Sequence, residues 1–151
     1  MDATDRRILR EIQRDSSRSL ADLAERIGAS SSACHRRIGA LTDAAVIQGY
    51  VALIDPLKVG LTLHVFVEIA LISQSRDVMD RFEQAVMEFD DILDCHLMSG
   101  TADYLLRVAA LDVADYDRLH RNCLSRLPGV SSMKSSFAIR KIKASNGYPL
   151  R

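Results

Sequence analysis

The sequence predicts an α+β fold in two parts: an N-terminal helix-turn-helix unit, winged-helix-like, over residues 1–54, and a C-terminal ferredoxin-like β-α-β-β-α-β unit over residues 61–151. Three observations predict it. Apolar residues recur at helical spacing as far as Leu41, and from Leu61 they alternate as in strands. Between the two patterns, Asp55-Pro56 and Gly60 interrupt the chain, since Pro cannot donate to a ladder and restricts the residue before it.

The first helix places Ile8, Leu9 and Ile12 on one face of Asp2 to Asp15, with Asp2 and Asp5 where a helix N-terminus favours negative charge. Ser19 with Asp22 three residues on reads as a capping box for the second helix, whose apolar face is Leu20, Leu23, Ala24 and Ile27. Gly28 suits a left-handed stop, and Ser30 caps a third helix at once. Cys34, Ile38 and Leu41 form that helix's inner stripe. Two short helices joined by a brief turn containing Gly describe a helix-turn-helix. Three helices in roughly fifty residues make a marginal core, so help is expected from the next segment or a second subunit. The next segment, Ile47 to Ile54, has strand composition and is expected to form a linking strand.

In the second unit Leu63, Val65, Val67, Ile69 and Leu71 alternate strictly and predict a strand. Val78, Met79, Phe82, Val86 and Phe89 mark a helix after the Ser73-Gln74-Ser75 turn. Leu93, Cys95 and Leu97 predict a second strand, and Leu106, Val108 and Ala110 a third, joined through Gly100-Thr101-Ala102. Tyr116, Leu119, Cys123 and Leu127 mark another helix, stopped by Pro128-Gly129, before a fourth strand from Met133 to Ile139. That order gives a four-stranded antiparallel sheet with both helices on one face. The other face would carry His64, Phe66, Glu68, Ala70, Asp94, His96, Met98 and Arg107. The mixture is too apolar for a wet surface and too polar for a core, and a homodimer interface fits it.

Composition narrows the function classes. The chain has 151 residues, and Lys+Arg and Asp+Glu balance at 20 each, so any affinity for nucleic acid must come from local charge. Every cation from Met1 to Tyr50 is Arg, and from Ser131 onward there are five Lys or Arg and no acid. Cys34, Cys95 and Cys123 are scattered, which argues against a zinc knuckle and a disulfide framework and fits a reducing cytoplasm. No apolar run is long enough to span a membrane, and charge from Asp2 onward predicts no signal peptide. No phosphate-cradling Gly pattern and no Ser/His/Asp set is evident. His64, Glu68, Asp94 and His96 could be assembled into a metal site, but nothing fixes their spacing and a dimer interface already explains them. No metal and no cofactor is expected.

The third helix is the candidate reader of double-stranded DNA. It holds His35, Arg36 and Arg37, with no acid from Ala29 to Leu41. With Cys34, Ile38 and Leu41 inward, its outward centre falls near Ser32, Arg36 and Gly39, with His35 to one side. Arg36 could read guanine through two hydrogen bonds, or be a phosphate contact or a solvated Arg. Arg37 lies nearer the buried edge, as a phosphate or structural residue. Ser30, Ser31 and Ser32 at the helix start could hold a phosphate or serve only as caps. Cys34 is read as packing.

With both units in view, the chain resembles the Lrp/AsnC family, the feast/famine transcriptional regulators of bacteria and archaea. The resemblance rests on Asp5-Arg6 with Ile8-Leu9, on Leu20 through Leu23-Ala24, Arg26 and Gly28 to Cys34, Arg36-Arg37-Ile38, and on Ile47 with Gly49-Tyr50. In the second unit it rests on Val65 to Ile69, Cys95 to Gly100, Asp103 to Leu106 and Leu127 to Val130. It implies a sequence-specific DNA-binding regulator that forms homodimers through the C-terminal sheets and assembles into homo-octamers. It also implies a small effector, usually an amino acid, bound in the C-terminal unit. Gly39 and Ala40 depart from the bulky or basic residues of relatives, and Gly within a helix costs about 1 kcal/mol relative to Ala. A softer third helix makes multivalent binding more important.

An amino acid needs an acceptor for its ammonium, donors for its carboxylate and an apolar wall. Asp103 is the candidate acceptor, Gly100 and Thr101 the candidate donors, and Tyr104 a residue that could orient them. Ser131, Ser132 and Met133 are a second candidate wall. The plain alternative is a hairpin whose Gly and Asp serve only the turn. Two rival functions remain. The two-part architecture is also similar to sirohaem decarboxylases, enzymes for which His64, His96 and Arg107 would be the candidates. An effector-sensing or assembly protein that has lost DNA binding would follow from Gly39 and the neutral net charge.

Overall fold

The chain's first helix begins on two carboxylates. In the computed structural model, which describes residues 1–145 and 147–150, α1 spans Ala3–Arg14. Asp2 caps it by accepting from the N–H groups of Thr4 (2.8 Å) and Asp5 (2.9 Å), while Asp5 accepts from the Asp2 N–H at 2.7 Å. This reciprocal box satisfies donors that a helix start otherwise leaves without partners. α2 spans Leu20–Ile27 and α3 spans Ser31–Asp43. Ser19 Oγ accepts from the Asp22 N–H at 3.1 Å, but only half the expected box forms, because the Asp22 carboxylate takes the Ser19 hydroxyl at 2.7 Å. Gly28 stops α2 at φ 67°, and Ser30 caps α3 by accepting from the Ala33 N–H at 3.2 Å. The inner faces enclose Ile8, Leu9, Leu23, Ala24, Ile27, Cys34, Leu41 and Ile47.

Two expectations about this unit are corrected. Ile47 to Ile54 forms no strand, so no wing is present among the described residues. Strand composition needs a neighbouring edge to become a ladder, and only Ile47 finds a core here; Val51, Leu53 and Ile54 are exposed. Residues 142–145 and 147–150, expected in the second domain, fold with Met1–Leu53. Gln13 grips the Tyr148 backbone at two points, accepting from its N–H at 2.6 Å and donating to its carbonyl at 3.1 Å. Arg10 donates to the Leu150 carbonyl at 2.6 Å, and the Leu150 side chain packs on the helical core. A core this small gains from an added apolar residue.

The second unit runs from Ile54 to Lys141. Its elements are β1 (Leu63–Leu71), α4 (Arg76–Val86), β2 (Ile92–Leu97), β3 (Tyr104–Ala110), α5 (Val113–Asn122) and β4 (Val130–Ala138). The sheet order is β2-β3-β1-β4, antiparallel throughout, as a ferredoxin-like arrangement requires. Val65, Val67 and Ile69 of β1 and Tyr104, Leu106 and Val108 of β3 meet Val78, Phe82 and Val86 of α4 and Tyr116 and Leu119 of α5 in one core. β2 departs from simple alternation. A bulge between Ile92 and Asp94 leaves Leu93 exposed and turns Ile92 and Cys95 to the core.

On the other face, Arg107 pairs with Asp94, and Lys134 reaches Glu68 at 3.5 Å. Two of the four residues weighed as metal ligands are therefore spent on ion pairs. Phe66 is 39% exposed between them.

Candidate DNA-reading helix and effector recess

The side chains of α3 divide sharply. Cys34 and Leu41 are buried, Ile38 is half-buried, and Ser31, Ser32, His35, Arg36 and Gly39 are exposed. Arg36 is exposed and enters no side-chain hydrogen bond or ion pair among the described residues. Ser30 is occupied as the cap and also lies 3.2 Å from Ser32 Oγ. Arg37, grouped above with the DNA-contacting residues, is engaged inside the unit. Its Nη1 donates to Asp2 Oδ2 and Asp5 Oδ1, both at 2.7 Å. The Asp5 N–H first, and then this guanidinium, hold the Asp2 carboxyl down at about 2. The Asp2 N–H and then Arg37 lower Asp5 as well. Burial pushes the Cys34 thiol up, which keeps it protonated and fits packing.

The residues predicted around the effector do not all converge. Asp103 does line a recess of about 270 Å³, together with Leu71, Gln74, Met79, Leu97 and Met98. Its carboxylate is held by the Leu71 N–H and by the Gln74 amide, each at 2.7 Å. Its own N–H and carbonyl are tied to Ile69 and Met98, both at 2.8 Å. Gly100 and Thr101 are exposed in the adjoining turn. Tyr104 is placed differently from expectation. It is buried on the helix side of the sheet, its ring tilted against Phe82 with centroids 4.5 Å apart, and its hydroxyl donates to Glu83 at 2.6 Å. Its burial makes it a core residue and not an orienting one, and burial, then Glu83, raise its phenol. It borders a separate apolar recess of about 450 Å³ with Glu83, Met87, Cys95 and Leu97.

Ser131, Ser132 and Met133 line neither recess. Ser131 Oγ donates to the Ala70 carbonyl at 3.0 Å, and Met133 packs on the core. The apolar wall that sequence reasoning missed is Leu71, Met79, Leu97 and Met98. No local pattern could have found it, because it gathers a strand end, a helix start and a strand-to-strand turn.

A three-helix unit with an acid-free outward helix, joined to an α+β unit with a small polar-and-apolar recess, is the build of a DNA-binding transcriptional regulator. Residues 1–42 match the AsnC-type helix-turn-helix domain and residues 64–148 the Lrp/AsnC ligand binding domain. The chain belongs to the Lrp/AsnC family. Over 146 residues it is 39% identical to the leucine-responsive regulatory protein of Escherichia coli K12, covering 97% of this chain and 89% of that one. The structure of an AsnC family transcriptional regulator from Agrobacterium tumefaciens superposes with a TM-score of 0.94 at 40% identity, covering 99% of this chain and 97% of that one. A transcriptional regulator of Neisseria meningitidis, solved as an L-Met complex, superposes with a TM-score of 0.92 at 30% identity, covering 99% and 96%. The protein is a regulator and not an enzyme, and the decarboxylase alternative falls away. No helix among the described residues is long and apolar enough to cross a membrane.

Proposed function

We propose that this regulator reads DNA with α3 and tunes that reading through a small amino acid bound in the recess beside Asp103. The observation that carries the effector assignment is a carboxylate set rigidly among apolar side chains. Asp103 keeps its position through Leu71 and Gln74, while Leu71, Met79, Leu97 and Met98 form the wall. A recess of about 270 Å³ lies just under the roughly 300–1,000 Å³ of drug-sized sites, which favours a ligand no larger than a free amino acid. Asp103 accepts the ligand's ammonium on its remaining lone pairs, and Gly100 and Thr101 donate to its carboxylate. The L-Met complex of the Neisseria regulator supports this chemistry.

At the DNA, Arg36 reads a base edge, His35 lies beside it, and Ser31, Ser32 and the N-terminus of α3 hold a phosphate. A homodimer paired through the open sheet faces supplies two copies of α3, and further association gives an octamer. The half-exposed Phe66 and the strand-like stretch without a ladder from Val51 to Ile54 support such pairing. The cytoplasm is the compartment that suits three free thiols and a DNA ligand.

The test is calorimetric titration of the full chain with each of the twenty amino acids, repeated on Asp103→Asn. Binding of at least one, an accompanying change in DNA affinity or sedimentation, and loss of both in the variant are expected. Twenty flat titrations would remove the effector assignment and leave the DNA-binding one standing.

A further inference from the structure

Arg36 and Arg37 are neighbours in sequence, but successive side chains on an α-helix diverge by about 100° around its axis. When one is tied down, the direction of the other is set. Arg37 is tied down with unusual economy: one nitrogen serves two carboxylates, and those carboxylates are the pair that caps α1. The Arg37–Asp5 half of the clamp is sheltered, the Arg37 side chain being 30% exposed and the Asp5 side chain 14%, while Asp2 lies at the surface.

Few other side chains of α3 reach the core. Only Cys34 and Leu41 are fully buried, Ile38 is half-buried, and a side chain at Gly39 would meet nothing within 4 Å. The charge balance also bears on DNA. Two carboxylates face one guanidinium, so the cluster carries net negative charge. Drawing Arg37 out to a phosphate would strand both carboxylates beside another anion.

We infer that Arg37 is a positioning residue, which locks the rotation of α3 against the α1 cap and thereby aims Arg36, and that it makes no phosphate contact. The inference rests on the proposal that α3 reads bases through Arg36.

The two kinds of contact leave different signatures. A lost phosphate contact weakens binding to every sequence and lowers the salt slope by about 1. A lost aim weakens discrimination between sequences and leaves the slope alone. The probes are a duplex recovered from a random-sequence pool by the unaltered full chain, and a base-scrambled duplex of the same length. Affinity for both is measured across a salt series for Arg36→Ala, Arg37→Met, Asp5→Asn and the Arg37→Met/Asp5→Asn double variant.

Arg37→Met and Asp5→Asn are each expected to cut discrimination by roughly tenfold, within the range of one base contact, with an unchanged salt slope on the scrambled duplex. The double variant is expected to be no worse than either single one, because the two act through one contact. Asp5→Asn is the sharper arm. It removes a negative charge and on electrostatic grounds alone should tighten DNA binding, so lost discrimination points to aim.

A thermal melt accompanies each variant. If Asp5→Asn unfolds the helices, Asp2→Asn takes its place, its side chain being 54% exposed. Uniform weakening by Arg37→Met with a reduced slope, or discrimination kept by both Arg37→Met and the Asp variant, overturns the inference. Discrimination unaffected by Arg36→Ala overturns the base-reading proposal instead, which keeps the two failures distinguishable.

Discussion

The helical unit and the sheet unit are held together by different means. Among the described residues the first encloses eight buried side chains and the second sixteen, including Phe82, Tyr104 and Tyr116. The sheet unit has the larger apolar volume and a four-stranded ladder beside its own ion pairs. The helical unit adds polar ties. The Asp2–Asp5 box holds Arg37, Gln13 and Arg10 hold Tyr148 and Leu150, and Glu11 is approached by Arg14 (2.7 Å), Arg18 (2.7 Å) and Arg26 (3.8 Å). Exposed ion pairs contribute little stability individually, but they restrict direction, and direction is what a base-reading helix needs. The smaller core therefore belongs to the unit whose separate segments are also joined by the Arg37 clamp and by the Gln13 and Arg10 contacts.

The contrast is tested most strongly by cavities. Phe82→Ala should cost the sheet unit about 3–5 kcal/mol and Ile8→Ala the helical unit about 2–5 kcal/mol. Both residues are fully buried. Because the helical unit has less in reserve, Ile8→Ala should abolish amide protection across α1 to α3 while the strands stay protected. Equal loss in both units under hydrogen exchange would mean that they unfold as one.

Titration should separate the units next. Asp2, Asp5 and Asp15 lie below the ordinary carboxylate value in the helical unit, against Asp115 alone in the sheet unit. Depressed carboxyls stabilise the fold above their unfolded value of 3.8, and that contribution is lost as pH falls toward about 2, the value of Asp2. Amide NMR from pH 5 down to 2 should show α1 and α3 loosening before the sheet. At the alkaline end buried thiols titrate instead, Cys34 in the helical unit and Cys95 and Cys123 in the sheet unit. Burial raises Cys95 and Cys123 to about 11, so their stabilising contribution is complete below 9.0 and fades as pH rises through 11.

Smaller effects sharpen the same comparison. Gln13→Ala removes both hydrogen bonds to Tyr148 and should cost the helical unit about 1 kcal/mol, with faster exchange in α1 and none in β1. Gly39→Ala should stabilise by up to about 1 kcal/mol, since the site is open and helical. A melting point that stays put or falls would show that Gly39 serves α3 in another way.

Much of this architecture is legible in the chain because its signals are local. Ser19, Gly28 and Ser30 mark helix ends through hydrogen bonds and a positive φ decided within a few residues. Alternation from Leu63 to Leu71 marks the central strand whatever surrounds it. Signals failed where geometry is decided from a distance. Leu93 continues an alternating pattern that the bulge in β2 breaks. Ala45 takes φ 54°, a conformation normally given to Gly or Asn, so that the chain after α3 can hook Ile47 into the core. Tyr104 sits beside Asp103 in sequence, but its ring is buried against Phe82 while the Asp103 carboxylate lines a recess, a difference decided by how α4 packs on the sheet.

By itself the sequence determined the two kinds of unit, the order of their elements, the helix caps and the acid-free outward face of α3, for these depend on periodicity and on contacts a few residues apart. The tertiary structure alone decided which carboxylates receive Arg37, 35 and 32 residues away, which apolar side chains surround Asp103, and that residues 148–150 return to α1. Such pairings are chosen by packing the whole chain at once, and a polar side chain's partner is whichever group that packing brings within 3 Å of it.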